Sequence, residues 1–319
     1  SMPAPVKICA DGTKSTIVRV QVSGGSVNIS NIFFRMKSGS PNPERYCTFQ
    51  IGDYDPPTST ERKAKLTHAN YLANADSPFL RDTIEVYNST APNPPLVRIP
   101  VQIHRAPVTF VHGLWGNMFA FDEMESAWQN YFGPGNIATL SVDYSTSNAE
   151  GFSENSGAVP HGIYSTVGHA RFGNYSCGAV DLVCHSMGGL LARLYLQGND
   201  YRSDIHTLTT INSPNAGTQA ADLLRSPWGL SISGLLSALL MPVNHGAVDD
   251  MRSRSSYFET CENLCTNVRT VPTLNFNSTS TDPDWQSRDW KPFYVTFLTN
   301  SGFFINPQYG IDIYGTYNL

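Results

Sequence analysis

The run VDLVCHSMGGLLARLYL, residues 180–196, sets a serine between a short apolar stretch and a stretch with helical spacing. A hydroxyl there can act as a nucleophile when a strand turns sharply into a helix, because the turn lifts the side chain above the sheet's C-terminal edge. Ser186 is therefore the candidate nucleophile, and the main-chain N–H of Met187 would lie beside the carbonyl under attack. Gly188 keeps the turn free of a Cβ, while Cys184 stands where the G-x-S-x-G pattern has its first glycine. The competing reading is a serine that caps the helix with its side-chain oxygen. Two further segments bear on the choice. FVHGLWG (110–116) puts His-Gly at the tip of an apolar run, and TTINSPNAGTQAADLL (209–224) leads a strand through Ser-Pro-Asn-Ala-Gly-Thr into a helix.

His112-Gly113-Leu114, His185-Ser186-Met187-Gly188-Gly189 and Ser213-Pro214-Asn215-Ala216-Gly217-Thr218 together resemble the lipase branch of the α/β hydrolases. The likeness is to the bacterial true lipases and the related GPI-inositol deacylase-like group. It covers residues 107–225 well and later residues loosely, and residues 1–105 have no counterpart in it. The resemblance implies cleavage of carboxylic esters, with acylglycerols or other lipid esters as substrates. It also implies a second oxyanion donor, the N–H of Leu114, which makes His112 a structural residue of the turn rather than a base. Two such donors can each contribute ~3 kcal/mol to the transition state. The family carries a lid between its later strands, and the apolar RSPWGLSISGLLSALLMP (225–242) fits one within a region of about 225–260. An ordinary buried helix would have the same composition.

A serine nucleophile needs a base and an acid to orient it, and in the resembled family they follow in the order Ser, Asp or Glu, His. After Ser186 the only histidines are His206 and His245. His206 begins a strand and points away from the expected position, whereas His245, in PVNHGAVDD, is a candidate base from position alone. Asp282, in VPTLNFNSTSTDPDW, is the candidate acid, with an Asp-Pro turn residue as the alternative. On that alignment Phe303 occupies the histidine's place, which would describe a degraded triad. The preferred expectation is that acid and base lie beyond Leu319. Two functions from different classes follow: a serine ester hydrolase, or a non-catalytic binding or adhesion protein that keeps the hydrolase fold.

The elements that must position these residues change character near residue 105. Residues 1–105 read as an antiparallel sandwich-like β domain, from STIVRVQVSG, SVNISNIFFRMKS, RYCTFQIGDY, DTIEVYNS and LVRIPVQIHR, with residues 59–75 as a short helix or ordered loop. Residues 106–319 read as an α/β domain with a mostly parallel sheet. VTFVHG, IATLSVDY, AVDLVC and IHTLTTINS are its buried strands, and helices start at MFAFDEMESAWQNYF and SMGGLLARLYLQG. VPTLNF and PFYVTFLT are the last strand candidates.

Composition narrows the setting. Charged residues are 15%, hydrophobic residues 40% and the net charge −5, a globular balance without the Lys/Arg stretch that nucleic acid demands. Low lysine, six cysteines and four N-x-S/T triplets, at Asn28, Asn88, Asn174 and Asn277, lean towards an extracytoplasmic, secreted or surface protein. The favoured disulfides are Cys9–Cys47 and Cys261–Cys265, against an alternative of six free thiols. SMPAPV lacks a charged segment followed by an apolar one, as in a mature form. The most apolar stretch, 228–243, is shorter than the ~20 residues that span a bilayer, which leaves peripheral contact with a lipid interface. GPGNIA precedes a strand instead of following one, and DGTKST lacks the upstream glycine of a phosphate loop. No cofactor is expected, and a structural calcium ion, known in some relatives, has no ligand set that would place it.

Overall fold

The computed structural model describes residues 4–12, 15–21, 28–37, 51–53, 61–69, 77–226, 246–259, 271–276, 305–306 and 310–311. The N-terminal strands are β1 (Val6–Cys9), β2 (Ser15–Gln21), β3 (Ile32–Met36), β4 (Ile51–Asp53), β5 (Glu61–Thr67), β6 (Phe79–Asn88) and β7 (Val97–His104). β2, β5 and β4 form an antiparallel three-stranded sheet. A five-stranded sheet runs β10–β1–β7–β6–β3, where β10 is Tyr175–Ser176. Val18 and Leu66 of the smaller sheet share one buried cluster with Ile8, Ile32, Ile84, Val86, Val101 and Ile103 of the larger, so the two pack face to face.

Three expectations change here. Residues 61–67 are a strand rather than a helix or loop: Arg62, Ala64 and Leu66 are buried while Lys65 is exposed, an alternation with period two. Lys and Ala are poor strand formers, but pairing with β2 on one side and β4 on the other outweighs propensity. The larger sheet is not wholly antiparallel, because β1 runs parallel to both β7 and β10. Cys9 pairs with Cys177, 168 residues away with Cα atoms 5.2 Å apart, and not with Cys47. The reason is the same sheet: β1 and β10 are neighbours, so Cys9 at the end of one strand meets Cys177 just past the other. Cys47, Cys261 and Cys265 lie outside the described residues.

The residues around that disulfide form a polar seam. Buried His68 bonds Asp11 through Nδ1 (3.1 Å) and Thr16 Oγ1 through Nε2 (2.8 Å). Thr16 continues to Ser176 Oγ (2.6 Å), and the Gly178 N–H donates to the other Asp11 oxygen (2.8 Å). A fully buried carboxylate is tolerated because both its oxygens have partners.

Beyond residue 105 the described strands of the main sheet are all parallel: β8 (Val108–Val111), β9 (Thr139–Val142), β11 (Val180–His185), β12 (Ile205–Ile211) and β13 (Thr273–Phe276), in spatial order β9–β8–β11–β12–β13, while Ile305–Asn306 and Gly310–Ile311 form a separate antiparallel pair. Every residue of β8 is buried, as its continuous apolar run requires. Among the described residues the α-helices are α1 (Asp122–Phe132), α2 (Phe152–Asn155), α3 (Ala158–Phe172), α4 (Met187–Gln197), α5 (Gln219–Leu224), α6 (Gly246–Asp250) and α7 (Ser256–Glu259). On α1, Met124, Trp128 and Phe132 recur every fourth residue and pack on Val108, Phe110, Ile137 and Val183. From α6, Ala247 and Val248 join the main core with Leu190 and Leu191 of α4. Most of the expected lid, residues 227–245, lies outside the described residues.

The chain steps from β8 to β9 on one side, then crosses to β11 on the other. The order reverses at β8, so the C-terminal ends of β8 and β11 flank a crevice, the place where open α/β sheets bind ligands. Among the described residues, no helix is long and apolar enough to cross a membrane.

Candidate active site

Ser186 follows β11 directly and begins the turn into α4 with φ 51° and ψ −123°. A side chain is rarely held in this left-handed region, and such a conformation costs about 1–3 kcal/mol unless its surroundings impose it. They do so here: the Ser186 N–H donates to Ile211 O (2.9 Å) across the sheet, and its carbonyl accepts from Gly189 N–H (3.0 Å). The side chain makes no capping bond to the helix, which removes the helix-cap reading.

Close approach explains the glycines on either side. A Cβ on Gly188 would sit 2.5 Å from Val111 O and 2.6 Å from His112 O, so the first turn of α4 rests on the end of β8. A Cβ on Gly113 would sit 2.7 Å from the Ser186 Cβ. The turn after β8 and the turn after β11 therefore touch at the serine. Cys184 is tolerated at the pattern's first glycine because its side chain points the other way, into the main core, where burial raises its thiol pKa.

The loop of residues 112–116 is tied down from inside. His112 is buried and stacks on Tyr144, ring centroids 4.1 Å apart and planes 10° from parallel. The Tyr144 N–H donates to His112 Nε2 (3.5 Å), which puts the ring proton on Nδ1, where it reaches Gly113 O at 3.0 Å. Burial lowers the His112 pKa, opposed by its bond to Gly113 O and by Asp143. Both ring nitrogens of His112 are thus engaged, one with Gly113 O and one with the Tyr144 N–H. The Tyr144 hydroxyl donates to His112 O, and burial raises its phenol pKa. Asn148 accepts from Trp115 N–H through Oδ1 (3.3 Å) and donates through Nδ2 to Gly116 O (2.9 Å). Sequence reasoning passed over Tyr144 and Asn148. The available signal was VDYSTSN, polar residues that begin at the end of a strand candidate.

Met187 opens α4 and so carries one of the first-turn N–H groups with no partner inside the helix. The residue 213–218 loop packs behind the elbow, with buried Ser213 against Gly189 and Arg193 of α4 donating to Asn215 O at 2.5 Å. His206 does not approach the serine. It bonds Asp181 (2.7 Å) near the start of β11, five residues and about 16 Å down the strand from Ser186 at ~3.3 Å per residue. His245, Asp282 and Phe303 lie outside the described residues. Among the described residues, no cluster of three or more His, Cys, Asp or Glu is placed to hold a metal ion.

A family model described as "Alpha/beta hydrolase family" matches residues 110–305, more than half of the chain. The chain belongs to the α/β hydrolase family. Its match begins inside β8, so the N-terminal sheets precede the part of this hydrolase that the family model covers. Solved structures similar to it include the Bacillus licheniformis lipase BlEst2. In the mature form the identity is 21%, over 60% of this chain and 74% of that one, with a TM-score of 0.42. In the propeptide form the identity is also 21%, over 56% and 36%, with a TM-score of 0.42. Phospholipase PlaB from Legionella pneumophila is 16% identical over 58% of this chain and 42% of that one, with a TM-score of 0.39. The chain thus spans about a third of the propeptide form and under half of the phospholipase. No curated protein matches it.

Proposed function

We propose that this α/β hydrolase is a serine ester hydrolase, with Ser186 as nucleophile and the main-chain N–H groups of Leu114 and Met187 as oxyanion donors. The observation that carries the reading is the strained, uncapped conformation of Ser186 against the Gly113 turn. In this mechanism Ser186 Oγ attacks the ester carbonyl and gives its proton to a histidine. The two N–H groups hold the negative oxygen of the tetrahedral intermediate. The intermediate collapses with loss of the alcohol, which takes the proton, and water then releases the acid from the acyl-serine. The base and the acid fall outside the described residues, where the separate candidates within this sequence are His245 for the base and Asp282 for the acid. The reaction as written uses no cofactor.

Lipid esters are the proposed substrates. Beside the sequence resemblance, Met118 and Phe119 support this class, because the turn that follows residues 112–116 leaves them exposed, Phe119 by 64%. The proposed setting is extracytoplasmic, which the Cys9–Cys177 disulfide favours.

The test is covalent labelling with a fluorophosphonate, together with hydrolysis of a p-nitrophenyl ester. Wild-type protein is expected to label and turn over, and Ser186→Ala to do neither. Labelling that persists in the variant would remove Ser186 as nucleophile, and an unlabelled, inactive wild type would favour the non-catalytic binding protein.

A further inference from the structure

The N–H of Leu114 belongs to the same peptide unit as the carbonyl of Gly113. In a trans peptide the two point in opposite directions, so whatever holds the carbonyl aims the N–H. Gly113 O is held twice, by His112 Nδ1–H (3.0 Å) and by the Gly116 N–H (3.1 Å). Both holds trace back to one segment, the residues after β9. Tyr144 fixes the His112 tautomer with its N–H and binds His112 O with its hydroxyl. Asn148 grips Gly116 through its carbonyl and Trp115 through its N–H, on either side of the peptide that joins them. Between these anchors Trp115 sits at φ 58°, a left-handed conformation that an unsupported loop would relax. Asn148 is only 3% exposed and spends its carboxamide on this loop rather than on water.

We propose that Tyr144 and Asn148 are positioning residues for ester hydrolysis, clamping the 112–116 loop so that the Leu114 N–H faces the oxygen bound at Ser186. The inference rests on the serine-hydrolase reading above and extends it to residues that touch neither substrate nor serine. It separates two quantities that a purely structural role would move together. A misaimed donor weakens only the tetrahedral species, while the ground-state ester has little charge for it to hold.

The experiment compares wild type, Ser186→Ala, Asn148→Ala and Tyr144→Phe. The readouts are kcat and KM on a p-nitrophenyl ester, the Ki of a trifluoromethyl ketone that adds to the serine, the Ki of a non-reacting ether of the same shape, and the thermal midpoint. Asn148→Ala is expected to lower kcat about tenfold to a hundredfold and raise the ketone Ki by a similar factor. KM and the ether Ki should stay within about twofold. Tyr144→Phe keeps the stacked ring and folds even if the Asn148 variant does not; it should show the same signature, smaller in size. If both variants match wild type, or if ketone and ether weaken equally, the positioning role is wrong while the serine-hydrolase reading stands. If wild type itself neither turns over nor binds the ketone, both fall.

Discussion

A hydroxyl-bearing residue at φ 51° is a local expense that folding tolerates only because β12 and α4 grip the Ser186 backbone from both sides. Glycine takes up such a conformation without a Cβ clash. Ser186→Gly is therefore expected to be inactive yet about 1 kcal/mol more stable than Ser186→Ala in urea denaturation. An equal or lower stability would mean that no strain is stored there. At this scale the sequence marked the candidate nucleophile but not the residues that hold the turn beside it. Ser186 stands out because serine, glycine and the strand-to-helix change fall within a few residues of one another. Tyr144 and Asn148 do not, since nothing along the chain links them to a loop some 30 residues earlier.

At the Ser186 turn two elements approach without side chains between them. The first turn of α4 lies on the carbonyls that end β8, and Gly188 leaves no room for a methyl group. Gly188→Ala is expected to force α4 away from β8 at a cost of about 1–3 kcal/mol, read from the urea midpoint. Fluorophosphonate labelling should slow in the same variant, because the Met187 N–H moves with the helix. A variant of wild-type stability would mean that the two elements are not in contact. Elements with a strong period were legible: β8 as a continuous buried run and α1 from its apolar residue at every fourth position. β5 was not, since its Lys and Ala residues favour a helix and only the strands on either side decide otherwise.

Across the whole molecule, the N-terminal sheets are joined to the segment that leads into β11 and the serine. β1 pairs with β10, Cys9 bonds Cys177, Asp11 receives the Gly178 N–H, and Tyr175 packs edge-on against His104 at 4.7 Å. His104 is buried there, and burial is the largest cause that lowers its pKa from an ordinary 6.5 to about 4. Between those values the unfolded chain binds a proton that the folded one refuses. The contribution of neutral His104 is thus complete above pH 6.5 and is lost as pH falls towards 4, by at most about 3 kcal/mol. His104→Phe removes the titrating group, so the difference in stability between variant and wild type should change across that window and be flat above it. A constant difference from pH 7 to pH 4 would show that His104 is not kept neutral by the seam.

The sequence by itself marked the order of the buried strands β8, β9, β11 and β12, the candidate nucleophile and the glycines beside it, because each is encoded within a few neighbouring residues, whereas α3 went unmarked. It also carried enough of three separated motifs to mark the family. Tertiary structure alone decided that Cys9 meets Cys177, that β5 is a strand, that His206 belongs to the far end of the sheet, and that Tyr144 and Asn148 reach the turn at residues 112–116. Those outcomes depend on which strands lie side by side. Strand adjacency is set by burial of faces summed over the entire sheet, a quantity that no short stretch of chain contains.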